Sequence, residues 1–140
     1  MKVLVATDGS DRSMKAVRRA LELAEKEGAE ITLLSVAPQV SSLLFETDEL
    51  PVSVQDAFDN EAKSWLDKAK AVFGARGIAV SSLLAHSAVA ANAILDVAAE
   101  GKFDWIIMGS TGKTGIEKYL IGSTASKVLA HAHCSVAIAR

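Results

Sequence analysis

The residues best suited to chemistry lie in one stretch, positions 105–124, which reads WIIMGSTGKTGIEKYLIGST. An apolar run ends at Gly109, a polar segment with further glycines follows, and a helical pattern begins after Gly122. Glycine lets backbone N–H groups turn toward a ligand, and the first turn of a helix offers unpaired N–H donors with a partial positive charge. Side chains in the stretch add hydroxyl and ammonium donors: Ser110, Thr111, Lys113, Thr114, Lys118, Ser123 and Thr124. The pattern predicts an anion site, which we interpret as a nucleotide phosphate site.

Neither a plain connection nor the two best-known phosphate motifs fit this stretch as well. An ordinary strand-to-helix connection usually needs only about 2–6 residues. A P-loop requires a glycine five residues before its Gly-Lys-Thr triplet, and although residues 112–114 form the triplet, the earlier position is Ile107. A dinucleotide fingerprint requires G-x-G-x-x-G after the first strand, whereas this loop has Gly109, Gly112 and Gly115 at spacings of three after the fourth predicted strand. Both motifs are therefore rejected.

Composition narrows the classes of protein. A chain of 140 residues, 50% of them hydrophobic, fits one domain with a substantial core. A net charge of -2 without a block of lysine or arginine gives no reason to expect nucleic-acid binding. The apolar run at residues 3–6 is too short for a signal peptide, and polar residues interrupt the uncharged segment 78–95, so we expect no membrane association. The single cysteine suits a reducing compartment, and we expect a cytoplasmic location.

Short apolar runs alternate with helical patterns along the whole chain. The predicted strands cover approximately residues 2–7, 30–36, 79–85, 105–108 and 136–139. Ser10 is expected to cap the first helix and Gly28 to end it, and Trp65 lies on the apolar stripe of the second helix, where we expect it in the core. Residues 37–53 are expected to form an irregular connection. Five strands alternating with four helices predict an α/β fold with a single doubly wound parallel sheet and helices on both faces.

Two motifs identify a family resemblance. Gly109, Gly112, Gly122 and Ser123 satisfy the spacing G-x2-G-x9-G-[S/T], and residues 5–10 read VATDGS. With these motifs the chain resembles the universal stress protein family, in its ATP-binding branch. The resemblance covers residues 1–140 and implies an adenine nucleotide alpha hydrolase-like fold with strand order 3-2-1-4-5. Residues 88–90, AVA, depart from the Gly-Asp/Asn-Pro turn that often precedes the third helix of that family.

The resemblance also implies a ligand and its contacts. The ligand would be ATP, with Mg²⁺ or Mn²⁺ bound through its phosphates. In an open α/β sheet the ligand lies where the strand order reverses, here between the first and fourth strands. The implied contacts are Ala6, Thr7 and Val36 to the base, Met108, Gly109, Thr111 and Gly112 near the ribose and α-phosphate, and Gly122, Ser123 and Thr124 at the outer phosphates. Because Gly122 lies where the loop meets the last helix, we expect its N–H and that of Ser123 to be among the donors that a phosphate would meet. Asp8 would contact the nucleotide, although its residue type alone fits the start of a turn or a helix cap equally well.

Two functions remain open on these grounds. The first is an ATP-binding regulatory protein of the stress response, and the second is a slow ATP hydrolase or phosphotransferase on the same scaffold. Transfer of a γ-phosphate needs a positioned metal ion and a residue that orients the nucleophile, and Glu117 is the only acid in the loop. We therefore favour the binding protein. We interpret His131 and His133 as cations near a helix C-terminus, not as metal ligands, and Cys134 as a small buried residue.

The last predicted strand, Val136–Ala139, is short and wholly apolar. In the sheet of the resembled family this strand lies at an edge, where unpaired N–H and C=O groups favour association with another chain. We therefore expect a homodimer that pairs this strand with its copy.

Overall fold

The computed structural model describes residues 1–40, 52–111 and 121–140, and for residues 52 and 53 only the backbone. Within these ranges strands and helices alternate, as the sequence predicts. The elements in chain order are β1 (Lys2–Ala6), α1 (Asp11–Glu27), β2 (Glu30–Ala37), α2 (Val52–Gly74), β3 (Ser81–His86), α3 (Ala90–Glu100), β4 (Trp105–Gly109), α4 (Ser123–His131) and β5 (Ser135–Ala139). No described helix combines the length and the apolar character that crossing a bilayer requires.

All strand pairs are parallel, and the order β3-β2-β1-β4-β5 confirms the expected topology. The third strand was predicted at residues 79–85, which is too early in the chain. Its pairing with β2 begins at Ser81 and continues to His86. Of the expected irregular connection at residues 37–53, Ala37 belongs to β2 and Val52 to α2, and residues 41–51 lie outside the described part.

Alternate side chains of the central strands point to opposite faces of the sheet. Val3, Val5 and Ile107 pack under α1 and α2, whereas Leu4 and Ile106 pack under α3 and α4. All five are at most 1% exposed. Because helices cover both faces, the central strands must be apolar at every position, which explains the continuous apolar runs in the sequence.

The ends of α1 are as predicted. The Ser10 hydroxyl accepts a hydrogen bond from the Ser13 N–H at 3.2 Å, and Gly28 adopts the left-handed conformation (φ 67°) that ends the helix. At α3 the residue before the helix is Val89, which supplies no side-chain cap. The departure from the family pattern at residues 88–90 therefore leaves this helix without a capping side chain.

Trp65 is not in the core, so that prediction is wrong. The indole is half-buried and lies on the turn that follows β1, where a Cβ on Gly9 would overlap it. Gly9 has φ 78°, a conformation that favours glycine. Lys68 Nζ lies 3.5 Å from the Gly9 carbonyl oxygen. Trp65 and Lys68 thus let α2 hold the turn that contains Asp8.

Gly109 allows the end of β4 to approach the first turn of α1. A Cβ at this position would lie 2.8 Å from the carbonyl carbon of Arg12 and 2.9 Å from the Ser13 nitrogen. These atoms belong to a helix backbone, which cannot rotate away as a side chain would. The close approach therefore requires glycine here whether or not a ligand is bound.

We predict that Gly109→Ala lowers the free energy of unfolding by about 1–3 kcal/mol, the usual cost of overpacking a core, and lowers the Tm by several degrees. Thermal and urea unfolding of the unliganded protein would measure the change. Gly74→Ala is the matched control, because nothing lies within 4 Å of a Cβ there and alanine favours the helix. Equal stability of the two variants would contradict the role assigned to close packing.

Candidate functional site

A cavity of about 390 Å³ opens at the carboxyl ends of β1 and β4, on the side covered by α3 and α4. This is the position at which the strand order reverses. Of the residues expected at the site, those within the described ranges all line this cavity: Ala6, Thr7, Asp8, Val36, Met108, Gly109, Thr111, Gly122, Ser123 and Thr124. Gly112 lies outside the described residues, as do Lys113, Thr114, Glu117 and Lys118.

Some of the lining was not identified from the sequence. Ala90 and Ile94 are one helical turn apart on α3 and form one wall with Leu34. The sequence feature that could have identified them is the apolar face of α3, but such a face is equally expected of residues packed in the core. Apolar walls of this kind suit the flat faces of a nucleobase.

The strand lengths leave backbone groups of Val36 facing the cavity. The last backbone bond between β1 and β2 runs from the Thr7 N–H to the Leu34 carbonyl oxygen at 2.9 Å. Groups two residues apart in a strand point to the same edge, so the N–H and C=O of Val36 point in the direction of the Leu34 carbonyl but lie beyond the end of β1. Val36 therefore offers one donor and one acceptor side by side.

More of the hydrogen-bonding groups of Thr7 are used within the protein than we expected. Its N–H is donated to Leu34, and its carbonyl oxygen accepts the Ser35 hydroxyl at 2.7 Å. Its own hydroxyl lies 3.0 Å from the Ser13 hydroxyl. The Thr7 N–H is thus unavailable to a base, and the residue serves to join β1, β2 and α1 beneath the cavity.

Asp8 combines the two roles considered for it. Its Oδ1 accepts the Ser10 N–H at 3.0 Å, which confirms the turn interpretation. The same side chain lines the cavity, and it is the single ionisable group in the described lining. The turn therefore fixes a negative charge at the cavity wall, and contact with a nucleotide stays a prediction.

Gly122 differs from the expectation that its N–H would meet a phosphate. The N–H is donated to the Ser110 carbonyl oxygen at 2.7 Å, so this part of the prediction is wrong. Gly122 has φ -66° and ψ 167°, an ordinary extended conformation, and a Cβ there would lie 3.3 Å from the same oxygen. The donors left for a ligand are the first-turn N–H groups of α4, from Ser123, Thr124 and Ala125, which have no intrahelical acceptor.

Thr111 provides an unsatisfied group in the cavity wall. The residue is 9% exposed, and its hydroxyl oxygen has no hydrogen-bond partner in the described part of the chain. A buried hydroxyl without a partner costs about 1–3 kcal/mol, so native proteins seldom keep one without a reason. Beside the first turn of α4, this hydroxyl is well placed to bind a polar ligand.

A side-chain network holds the chain where it leaves β2. Gln55 Nε2 donates to the Pro38 carbonyl oxygen and to Asp59 Oδ1, both at 2.9 Å, and Gln55 Oε1 accepts the Val40 N–H at 3.0 Å. His86 Nε2 lies 2.8 Å from the same Asp59 oxygen. The hydrogen bond from Gln55, with a smaller contribution from His86, lowers the pKa of Asp59. The network fixes the segment that follows Val36.

The histidines and the cysteine near the C-terminus lie away from this cavity. His131 and His133 are exposed, and His131 occupies the last turn of α4, where a cation is favoured. Cys134 is only partly buried, and burial raises the pKa of its thiol. Within residues 1–40, 52–111 and 121–140 no group of three or more histidine, cysteine or acidic side chains could hold a metal ion.

Comparison with known proteins assigns the family. The model of the universal stress protein family matches residues 1–140. The chain belongs to the universal stress protein family. Universal stress protein MJ0531 of Methanocaldococcus jannaschii is 34% identical over 99% of this chain and 81% of its own length. Universal stress protein YxiE of Bacillus subtilis is 33% identical over 99% of this chain and 98% of its own length.

Solved structures of the family share the fold. Universal stress protein UspA from Lactobacillus plantarum superimposes with a TM-score of 0.83 at 24% identity, covering 100% of this chain and 97% of that one. A universal stress protein from Archaeoglobus fulgidus in complex with dAMP gives a TM-score of 0.72 at 23% identity, over 100% of this chain and 98% of that one. A universal stress protein in complex with cAMP gives a TM-score of 0.67 at 24% identity, over 100% of this chain and 96% of that one. The ligands in these two complexes, dAMP and cAMP, are adenine nucleotides.

We predict that Thr111→Val leaves the unliganded protein as stable as wild type, or up to about 1 kcal/mol more stable, because valine has a similar shape and removes an unsatisfied hydroxyl. Ser35→Ala is the control. Ser35 is 1% exposed and its hydroxyl is paired, so its loss should cost about 1 kcal/mol. Urea unfolding without ligand measures both. Equal destabilisation by the two changes would mean that the Thr111 hydroxyl has a partner within the protein.

Proposed function

We propose that this protein binds an adenine nucleotide, ATP in the first instance, in the cavity between β1 and β4, and that it acts as a regulatory protein of the stress response. The observation that carries the proposal is the buried, unpartnered Thr111 hydroxyl beside the first turn of α4. The Thr111 hydroxyl and the first turn of α4 together offer hydrogen-bond donors and a partial positive charge in a partly enclosed space. These conditions suit a phosphate. The single cysteine supports a cytoplasmic location.

The other walls of the cavity suit the remainder of a nucleotide. Adenine presents a donor at N6 and an acceptor at N1, which complement the C=O and N–H of Val36. Leu34 and Ile94 supply apolar surface for the faces of the base. Asp8, held by Ser10, would accept hydrogen bonds from ribose hydroxyls. The dAMP and cAMP complexes of other universal stress proteins support adenine nucleotides as the ligand class.

Mg²⁺ or Mn²⁺ would be bound through the phosphates. Asp8 is the single carboxylate in the described lining, and one of its oxygens already accepts the Ser10 N–H. A metal ion bound with the nucleotide would therefore depend mainly on phosphate oxygens and water, as is common for Mg²⁺.

We favour binding over catalysis because Asp8 is the single carboxylate in the described lining. Hydrolysis of a γ-phosphate requires a side chain that orients the attacking water, in addition to the metal ion. Asp8 lies at the start of α1 and is fixed in its turn, whereas the proposed phosphate subsite is at α4. Occupancy of the cavity, and not turnover, would then set the state of the protein.

We also propose that the protein forms a homodimer through β5. This strand is at the edge of the sheet and all four residues of its apolar run are only partly buried. The Ser135 N–H and the Ala139 C=O bond toward β4, so the N–H and C=O of Val136 and Ile138 point to the open edge. Leu129 of α4, 43% exposed, adds apolar surface that a partner could cover.

The dimer proposal predicts that Ile138→Pro yields a folded monomer. Proline removes the outward N–H donor and is tolerated on edge strands, so it should weaken pairing between copies more than pairing with β4. Light scattering at micromolar concentration measures the mass, and Ile138→Val, which keeps the donor, should remain a dimer. A monomeric wild type, or a folded dimer of Ile138→Pro, would overturn the proposal.

The nucleotide proposal predicts that ATP with Mg²⁺ raises the Tm by several degrees, because ligand at ~100 times its Kd stabilises the fold by ~2.7 kcal/mol. Inosine triphosphate replaces the N6 donor with an oxygen that would face the Val36 carbonyl, and it should bind at least about tenfold more weakly. Asp8→Ala should weaken ATP binding, and Asp11→Ala, an exposed residue of the next turn, should not.

Calorimetric titration gives the affinities. No heat and no Tm shift with millimolar ATP would overturn the proposal, and equal affinity for inosine triphosphate would contradict the role of Val36. Phosphate release at about 1 per second or faster would show that the protein is an enzyme of ordinary turnover.

A further inference from the structure

We propose that Arg12 sets the preference of the cavity for phosphate-bearing ligands, and that it does so through the hydroxyl of Ser110. Arg12 is thus a positioning residue, which acts on the ligand through another side chain. The inference rests on the proposed function and adds a residue that neither the family motif nor the cavity lining contains.

The contact joins residues 98 positions apart in the chain. Arg12 Nη1 donates a hydrogen bond of 2.6 Å to Ser110 Oγ. Ser110 is 1% exposed and lines the cavity, whereas Arg12 is partly exposed and approaches from the first turn of α1, behind the cavity wall. The guanidinium is therefore one hydroxyl group away from the space that a ligand would fill.

The direction of this bond determines what Ser110 can do. A guanidinium has no acceptor, so Ser110 Oγ must accept, and its own hydrogen remains available to donate. No acceptor for that hydrogen is found among the described residues, and Ser110 lines the cavity. Arg12 therefore fixes Ser110 as a donor. Polarisation by the positive charge makes it a stronger donor toward an anion.

A purely structural role accounts poorly for Arg12. A cation in the first turn of a helix opposes the macrodipole, which disfavours it. Two other arginines in the described ranges pair with carboxylates, Arg19 with Glu22 and Arg76 with Glu25, but Arg12 has no such ion pair there. The cavity lining contains the negative Asp8. A phosphate entering this space would need the compensating charge that Arg12 supplies.

The test compares ligands that differ only in phosphate. Kd values of wild type, Arg12→Gln, Arg12→Lys and Arg19→Gln would be measured by calorimetry for adenosine, AMP and ATP. We expect Arg12→Gln to raise the Kd of AMP and of ATP by about tenfold or more, the scale of a hydrogen bond to a charged group. The Kd of adenosine should rise by less than about twofold. Arg12→Lys should recover part of the loss, and Arg19→Gln, an exposed residue of the same helix, should match wild type.

A double-mutant cycle isolates the pathway through Ser110. Ser110→Ala should weaken the binding of AMP and ATP. Adding Arg12→Gln to it should cause little further loss of affinity, because the pair acts as one unit. Equal weakening of adenosine and ATP by Arg12→Gln, or fully additive losses, would overturn the inference. If wild type binds none of the three ligands, the proposed function itself fails. If wild type prefers ATP and Arg12→Gln keeps that preference, only the role of Arg12 fails.

Discussion

The carboxyl end of β4 lies so close to two helices that its residues have almost no freedom to change. Gly109 has no room for a Cβ against the backbone of α1. All three polar groups of Ser110 make hydrogen bonds. Its N–H donates to the Ala139 carbonyl oxygen of β5, its C=O accepts the Gly122 N–H, and its hydroxyl oxygen accepts a hydrogen bond from Arg12. One residue thus connects β5, the start of α4 and the start of α1. The cavity exists because this junction fixes the position of α4 relative to the sheet.

The opposite wall depends on α2 in a comparable way. Trp65 covers Gly9 and so limits the positions open to the Asp8 turn, and Gln55 holds the backbone that leaves β2 after Val36. Neither α2 residue lines the cavity. The proposed ligand contacts therefore come from loops and strand ends, but their positions are set by a helix on the other face of the sheet. Changes in α2 can consequently alter the cavity without touching it.

The sequence predicted the elements and the location of the cavity better than the roles of individual residues. Runs such as residues 3–6 and 105–108 are apolar because both faces of the sheet are covered, so the strands could be found from hydrophobicity alone. The strand order came only from the family resemblance, since pairing between β1 and β4 leaves no local signal. The contact between Arg12 and Ser110 was missed for the same reason, because 98 residues separate them. Trp65 was misplaced because an apolar stripe does not distinguish a residue that packs on the sheet from one that packs on a turn.

The glycines show why a ligand-binding motif is hard to interpret from spacing alone. Gly109 and Gly122 satisfy the family pattern, yet in this structure one permits close packing against α1 and the other donates its N–H to Ser110. Both constraints act before any ligand arrives, because they concern the protein's own backbone. A bulky substitution at either glycine would disturb the proposed site by displacing α1 or α4, even if no glycine atom touched a phosphate. The proposed ligand contacts that could be tested with least disturbance of the packing are groups that the described fold does not use. They include the Thr111 hydroxyl, the Val36 backbone edge and the first-turn N–H groups of α4.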